Sequence, residues 1–424
     1  MTTRTRNTQI LVVLALTNLV SYAARNALFT VYPDLHARFH IDDAQIGLLQ
    51  TVFMIPHAAA TLPFGWAGDR WDRRRIIAAG IVLASLAGVA GALGHGYGGL
   101  AVSRAFVGLG TAVVVPVANS ILAQIFDGPH KASRMSVFNL GLFLGGVAGF
   151  AAGIAFGFPA VVIVLAVPGV ALAALISALP VPPRDHAAHV AASPHAHHAS
   201  HTRYFAQLVV QFLAEARVLF GIRTLRWVMV STTAMAFAAG GYNAWLKEFL
   251  TRDKHMSDAE AGTLLGLALV GGLAGILVGG WVADRLRGWR SNGRLWTIVI
   301  GMTLTIPCAI LAIELPAGPA LYATGVATLF FISWYHAPMA ASVDDLAPSG
   351  KSVAAQGLVI FTMHMLGTAP ASWVVGEVSE RSSLHTAMWV PTCLLAVAAL
   401  AMVIATTRFA ADHARARTEP PISA

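Results

Sequence analysis

The sequence predicts an all-α integral membrane protein with twelve transmembrane helices in two six-helix, pseudo-symmetric bundles. Three observations carry this. Of 424 residues, 56% are hydrophobic and only 11% are charged, against about 25% charged in soluble domains. Twelve apolar stretches are long enough to cross a bilayer core about 30 Å thick, which takes about 20 helical residues. Residues 43–70 recur, recognisably, as residues 258–285. The composition excludes disorder, which needs low hydrophobicity and high charge. Continuous apolar runs exclude an outer-membrane barrel, whose strands are short and alternating.

The tail MTTRTRNTQI leads straight into the first span, 9–32. No small-residue cleavage site follows, so no removable signal peptide is expected. The second span, 44–67, ends in a basic turn. Spans 75–94 and 99–126 follow, rich in Ala, Val and Gly. The fifth, 134–156, carries Gly141, Gly145, Gly149 and Gly153 at four-residue spacing, one stripe along which helix backbones can approach closely. Span 159–180 completes an N-terminal bundle, 1–180. The second bundle, 225–407, holds spans 225–250, 258–283, 295–314, 318–343, 352–376 and 385–407, with Gly271, Gly275 and Gly279 in its second span. Residues 408–424 are read as a cytoplasmic tail.

Between the bundles, 181–224 opens on Pro182 and Pro183 and carries His186, His189, His195, His197, His198 and His201 among Ala and Ser. It reads as a cytoplasmic linker, with an amphipathic helix expected toward Arg203–Arg223. The histidines lack fixed ligand spacing and an acidic second shell, so no metal site is assigned. Cys308 and Cys393 lie in apolar runs, so no disulfide framework is expected either.

The repeat is specific. Asp43 aligns with Asp258, Gly47 with Gly262, Gly65 with Gly280 and Asp69 with Asp284, and ten of 28 positions are identical. Two halves of one plan are a known transporter architecture. Lys and Arg mark the cytoplasmic side. With both termini there, the tails and loops on that side hold most of the 28 basic residues, clustered at Arg70–Arg75 and Arg285–Arg294. The net charge of +8 is therefore a topology signal, not a nucleic-acid surface. Inner-membrane placement follows.

GWAGDRWDRR (65–74), repeated in part at 280–285, resembles a signature of the major facilitator superfamily. RAFVGLG (104–110) resembles a second one. QIGLLQTVF (45–53), GDRWDRR (68–74) and GRLW (293–296) resemble the Spinster-type branch, which is associated with lysolipids and related amphiphiles and usually with proton coupling. The resemblance implies alternating access and a cytoplasmic gate of Asp69, Arg70, Arg73 and Arg74, echoed by Asp284 and Arg285. Two departures stand out. Ala24 precedes Arg25 and Thr111 follows the G-x-G of span four, where the family commonly has carboxylates.

Arg25 is the sharpest single feature. A membrane-buried arginine costs at least about 2.5–3.5 kcal/mol on insertion scales, so it faces a cavity or a partner. No carboxylate is clearly mid-span. Its planar fork suits a carboxylate or phosphate, and bonding to backbone carbonyls is the alternative. Arg104 is expected to draw anions inward or to serve at the interface. Tyr22, Asn26, His57, Thr111, Asn119, Asn139, Tyr242, Asn243, Tyr335, His336 and His364 are candidates for lining the same cavity. Interhelical hydrogen bonding is the alternative for each. Trp245, Trp334 and Trp373 are candidate aromatic walls. His57, His336 and His364 are alternative proton carriers, but the coupling ion is open.

No G-x-S-x-G, H-E-x-x-H or Gly-Lys-Ser/Thr loop is present, so no enzyme activity, ATP use or cofactor is expected. The expected function is transport of a small organic anion or anionic amphiphile. Efflux of neutral or cationic compounds, or a sensor that does not transport, are the alternatives.

Overall fold

A computed structural model describes residues 3–70, 72–126, 131–182, 214, 216–348 and 352–418. Helices run back and forth between two ends. One end carries both chain termini; the other is called the far end here. The first half contains α1 (Thr3–Asn26), a short α2 at the far end (Tyr32–Phe39), α3 (Asp43–Arg70), α4 (Arg73–Leu93), α5 (Tyr97–Thr111), α6 (Val114–Ile125), α7 (Lys131–Phe156) and α8 (Ala160–Ala178). The second half contains α9 (Arg223–Glu248), α10 (Asp258–Trp289), α11 (Gly293–Glu314), α12 (Pro319–Ile332), α13 (His336–Leu346), α14 (Ser352–Thr362), α15 (Ala369–Arg381) and, after a short turn, α16 (Trp389–Thr418). Pairing α5 with α6, α12 with α13 and α14 with α15 gives twelve rods. Nine spans among the described residues are long and apolar enough to cross a membrane by themselves.

Local chemistry sets the boundaries. The Asp72 side chain accepts from the Arg74 backbone N–H at 3.0 Å and starts α4. Ser257 and Glu260 form a reciprocal capping box that starts α10. Such caps satisfy backbone donors that the first helical turn leaves free. Three spans that read as continuous are in fact interrupted. The chain loosens at Ala112–Val113, tightens at Ser333–Tyr335 and widens into a π-turn at Met363–Thr368. Pro116, Pro338 and Pro370 follow these points. Proline has no N–H to give to the carbonyl four residues back, so each break falls at or near that carbonyl.

The structure adds two details at the expected domain boundaries. The segment read as a tail from 408 continues α16 as far as Thr418. The described end of the linker, 216–221, is helical, and Ala216 and Leu219 join the core of the second half. The linker histidines lie outside the described residues.

Each half has its own apolar core toward the terminal end. Leu14, Ile81, Val117 and Phe138 pack in the first, and Val228, Ile298, Val343 and Met402 in the second. The far end differs, because a single core there draws on both halves: Leu35 and Ile46 pack with Trp245 and Phe249. Among the described residues, the hydrogen bonds that cross between halves lie from the middle of the molecule toward this end. Thr51 Oγ1 donates to the Ala369 carbonyl at 2.5 Å, Asn243 Nδ2 to Asn26 Oδ1 at 3.2 Å, and Lys247 Nζ to the Thr30 carbonyl at 3.3 Å.

Asp43 is the hub of that seal. Its carboxylate accepts from Arg252 at 2.9 and 3.1 Å and from Ser379 Oγ at 2.6 Å, and His36 Nε2 lies 2.9 Å from it. His36 Nδ1 contacts the Ile41 carbonyl at 2.6 Å. Only the protonated ring pairs with the carboxylate while donating to the carbonyl. The hydrogen bond to Asp43 raises the His36 pKa against the effect of burial. Burial alone would raise Asp43, but the bonds from His36, Arg252 and Ser379 outweigh it and hold the carboxyl at about 2. Backbone contact completes the seal. A Cβ on Gly47 would collide with the Ser372 carbonyl of α15, and one on Gly376 with the Asp43 carbonyl of α3.

The seal therefore has a pH window. The His36 contribution is complete below about pH 6.5 and is lost as pH rises through its higher value in this structure. The Asp43 contribution is complete above about pH 4 and is lost as pH falls through about 2. In a background with Cys308 and Cys393 replaced, the labelling rate of Ser372→Cys by a polar thiol reagent, divided by that of an exposed cysteine at the same pH, is expected to be lowest between about pH 4 and 6.5. A ratio that is flat with pH would contradict the assignment. Gly47→Val is expected to raise labelling at every pH, because the two helices can no longer touch. Labelling unchanged in that variant would show that the contact does not hold the far end shut.

Candidate functional site

The centre of the molecule is organised by Phe53 of α3, a buried residue that the sequence reading passed over. The Arg25 guanidinium lies 5.5 Å from its ring centroid and the Arg104 guanidinium 4.7 Å. The His57 ring stacks on it at 5.5 Å and 18°. Glycine makes the cluster possible. A Cβ on Gly108 would meet the Phe53 carbonyl, so only glycine lets α5 come this close to α3. The His57 Nδ1 lies 3.1 Å from the Gly108 carbonyl and 3.3 Å from Thr111 Oγ1. Donation to the carbonyl fixes the tautomer and leaves Nε2 as an acceptor. His364 lies in the π-turn, 3.5 Å from Thr368 Oγ1, within electrostatic range of both Arg25 and His57. Tyr22 is within the same range of Arg25.

The charge balance of this group is unusual. Arg25 and Arg104 share one ring, so their charges are at most about 10 Å apart. At an effective dielectric of 20, that repulsion is roughly 1.7 kcal/mol or more. Among the described residues, neither arginine makes an ion pair, and Arg104 Nε and Nη2 are buried without hydrogen-bond partners. Cation–π contact returns about 0.5–2 kcal/mol per arginine. It does not neutralise either charge. Beside Arg104, a narrow crevice of about 60 Å³ lies between α1, α4, α5 and α8. It is walled largely by apolar side chains such as Val20, Leu28, Ile81 and Leu165, with Arg104 and Thr111 among its few polar groups.

The other candidates divide. Asn26 and Asn243 bind each other across the halves. The Tyr335 and His336 rings lie 4.0 Å apart, tilted by 33°, and His336 meets Phe143 of α7 edge-on at 6.5 Å, an aromatic contact between the halves. Tyr242 is held inside the second half by Thr392 at 2.6 Å. Asn119 Oδ1 is buried without a partner. The side chain of Asn139 lies outside the described residues, as do those of Asp69 and Arg70. Arg73 and Arg74 bond within the first half. Arg73 contacts Ser120, Gln124 and the Pro182 carbonyl, and Arg74 grips Asp72 at 2.8 and 3.1 Å. Asp284 and Arg285 are exposed, and Arg285 lies over Trp281 at 5.7 Å. The three candidate tryptophans differ in setting. Trp245 is fully buried and donates to the Ser372 carbonyl at 2.9 Å, Trp334 packs on Phe330 and Phe331, and Trp373 is exposed.

Known proteins agree with this architecture. The profile described as Major Facilitator Superfamily matches residues 14–290 and again 228–423. Protein spinster homolog 3 of Danio rerio is 26% identical over 398 residues, 88% of this chain and 77% of that protein. Protein spinster homolog 1 of Homo sapiens is 25% identical over 92% of this chain and 75% of its own length. Among solved structures, a bacterial homologue of the human lysosomal transporter Spinster, inward-facing and unoccupied, superposes with a TM-score of 0.81 at 17% identity, covering 96% of this chain and 98% of its own. A D-xylose–proton symporter gives 0.68 at 16% identity, covering 93% and 96%. The chain belongs to the major facilitator superfamily, as an integral membrane transporter, and is similar to its Spinster-type members.

Proposed function

We propose that this chain moves an organic anion, an anionic amphiphile above all, across the inner membrane by alternating access. The observation that carries the reading is the uncompensated pair Arg25 and Arg104 on Phe53. An anion entering between them supplies the missing charge and the missing hydrogen-bond acceptors together. A cation would add to the repulsion. The crevice beside Arg104 is too small for a whole tail, but its walls are largely apolar, which favours an anion with an apolar part. Tyr22, in range of Arg25, adds a hydroxyl donor near the head.

Placing both termini in the cytoplasm makes the far end external. The sealed state then faces inward, with Asp43, Arg252 and the glycine contacts as the external gate. Asp69 and Arg70, with Asp284 and Arg285, belong to the opposite gate. Opening and closing would rock the two halves about the arginine cluster.

The test is uptake into sealed proteoliposomes of three single-chain amphiphiles matched in length: a lysophosphatidate, a neutral monoacylglycerol and an alkylammonium. Arg25→Ala is expected to reduce lysophosphatidate uptake roughly 10–100-fold, the worth of a charge-assisted hydrogen bond, while its Tm stays close to that of the wild type. Arg25→Lys is expected to remain impaired, because an ammonium lacks the planar fork. Preference for the alkylammonium, or full uptake by Arg25→Ala, would overturn the anion reading.

A further inference from the structure

One buried charge-bearing group has no part in the reading above. Glu248 ends α9 inside the far-end seal. It is fully buried, and neither carboxylate oxygen has a hydrogen-bond partner. Every cation near it is already engaged. Lys247, its neighbour on α9, pairs with Asp258 at 2.7 Å and donates to the Thr30 carbonyl. Arg252 and His36 are both held by Asp43 of α3. Tyr32 of α2 is fully buried, packs on Trp245 at 5.2 Å and lies in electrostatic range of both Glu248 and Arg104. Its hydroxyl and Ser372 Oγ of α15 interact, but neither makes a well-formed hydrogen bond.

An ionised carboxylate in this place would be a buried charge with neither ion pair nor donor. Proteins avoid that state, because the group neutralises instead. A neutral carboxylic acid escapes the penalty and gains a donor, and Glu248 would meet water if the halves parted. We propose that Glu248 is a proton-binding site whose occupancy locks the far end shut: it carries a proton while the seal is closed and releases it to water when the seal opens. Opening thus exports one proton to the far side, and acid on that side drives closure. Tyr32 lies in range of Glu248, of Ser372 and of Arg104 in the arginine cluster. The proposal does not depend on the anion reading, and its test uses no substrate.

The test uses full-length protein in nanodiscs, with Cys308 and Cys393 replaced and spin labels on Ala37 and Ser382, exposed positions on opposite halves at the far end. Distances are measured from pH 5 to 9. The open fraction is expected to rise with pH by up to about tenfold per unit for one proton. Glu248→Gln, permanently neutral and of the same shape, is expected to stay closed. His36 titrates in the same direction, so the His36→Gln variant serves as the reference. Its remaining pH response is expected to vanish when Glu248→Gln is added. A second readout covers any defect in the variant's folding. The infrared spectrum of the wild type at neutral pH is expected to contain a protonated-carboxyl C=O band that fades as the protein opens at high pH. A double variant that titrates like His36→Gln alone, or a wild type with no such band, overturns the proposal.

Discussion

Two guanidiniums share one phenyl ring in the middle of this protein, and among the described residues no carboxylate pairs with them. Much of the molecule can be understood as support for that arrangement. Gly108 brings α5 against α3 so that Arg104 reaches Phe53. α1 delivers Arg25 from its last turn, packed on α7 along the stripe that includes Gly145 and Gly149. His57 is fixed by the Gly108 carbonyl and stacks on the same ring. The repulsion stored there is modest beside the stability of a whole domain, but it is directed. It favours whatever negative group arrives between the arginines.

The far end follows the opposite rule. There the charges are matched: Asp43 with Arg252 and His36, and Asp258 with Lys247. The two aspartates occupy equivalent positions of the internal repeat. They have diverged in setting, since Asp43 is buried and Asp258 is largely exposed. Glycine contacts then bring α3 and α15 to backbone distance. An unmatched centre and a matched, tightly packed end are complementary properties for alternating access. The arginines at the centre have no ion-pair partner among the described residues. The charged groups of the end find their partners across the closed contact, so shutting it is favourable without a ligand.

Much of the architecture was legible in the sequence, because it is written locally. Apolar run length gives the spans, and the GWxxDR repeat gives the two halves. Arg25 stands out because an arginine inside an apolar run needs a reason. Other features depend on contacts between distant residues. Phe53 looks like any phenylalanine in a span until Arg25 and Arg104 converge on it. Asp43 meets Arg252 across 209 positions. One signal for it was present: Asp43 heads the repeated segment, and the run LKEFLTRDK after the seventh span gathers Lys247, Glu248 and Arg252. Glu248 reads as a residue at a span end, where charge is ordinary. Only the packing of α2 and α3 over it makes it a buried acid. The helix breaks had a local cue in Pro116, Pro338 and Pro370, whose effect on the preceding turn was not drawn from the sequence.

The claim that the centre is an anion site is tested most directly by ligand-induced thermal stabilisation of the purified protein, since a ligand that binds the native state raises Tm by mass action. The panel comprises lysophospholipids, fatty and aromatic carboxylates, sugar acids and cationic drugs, applied to the wild type and to Arg25→Ala. The account predicts stabilisation by an anionic class that disappears in the variant. Stabilisation by cations alone, or equal stabilisation of both proteins by anions, would contradict it.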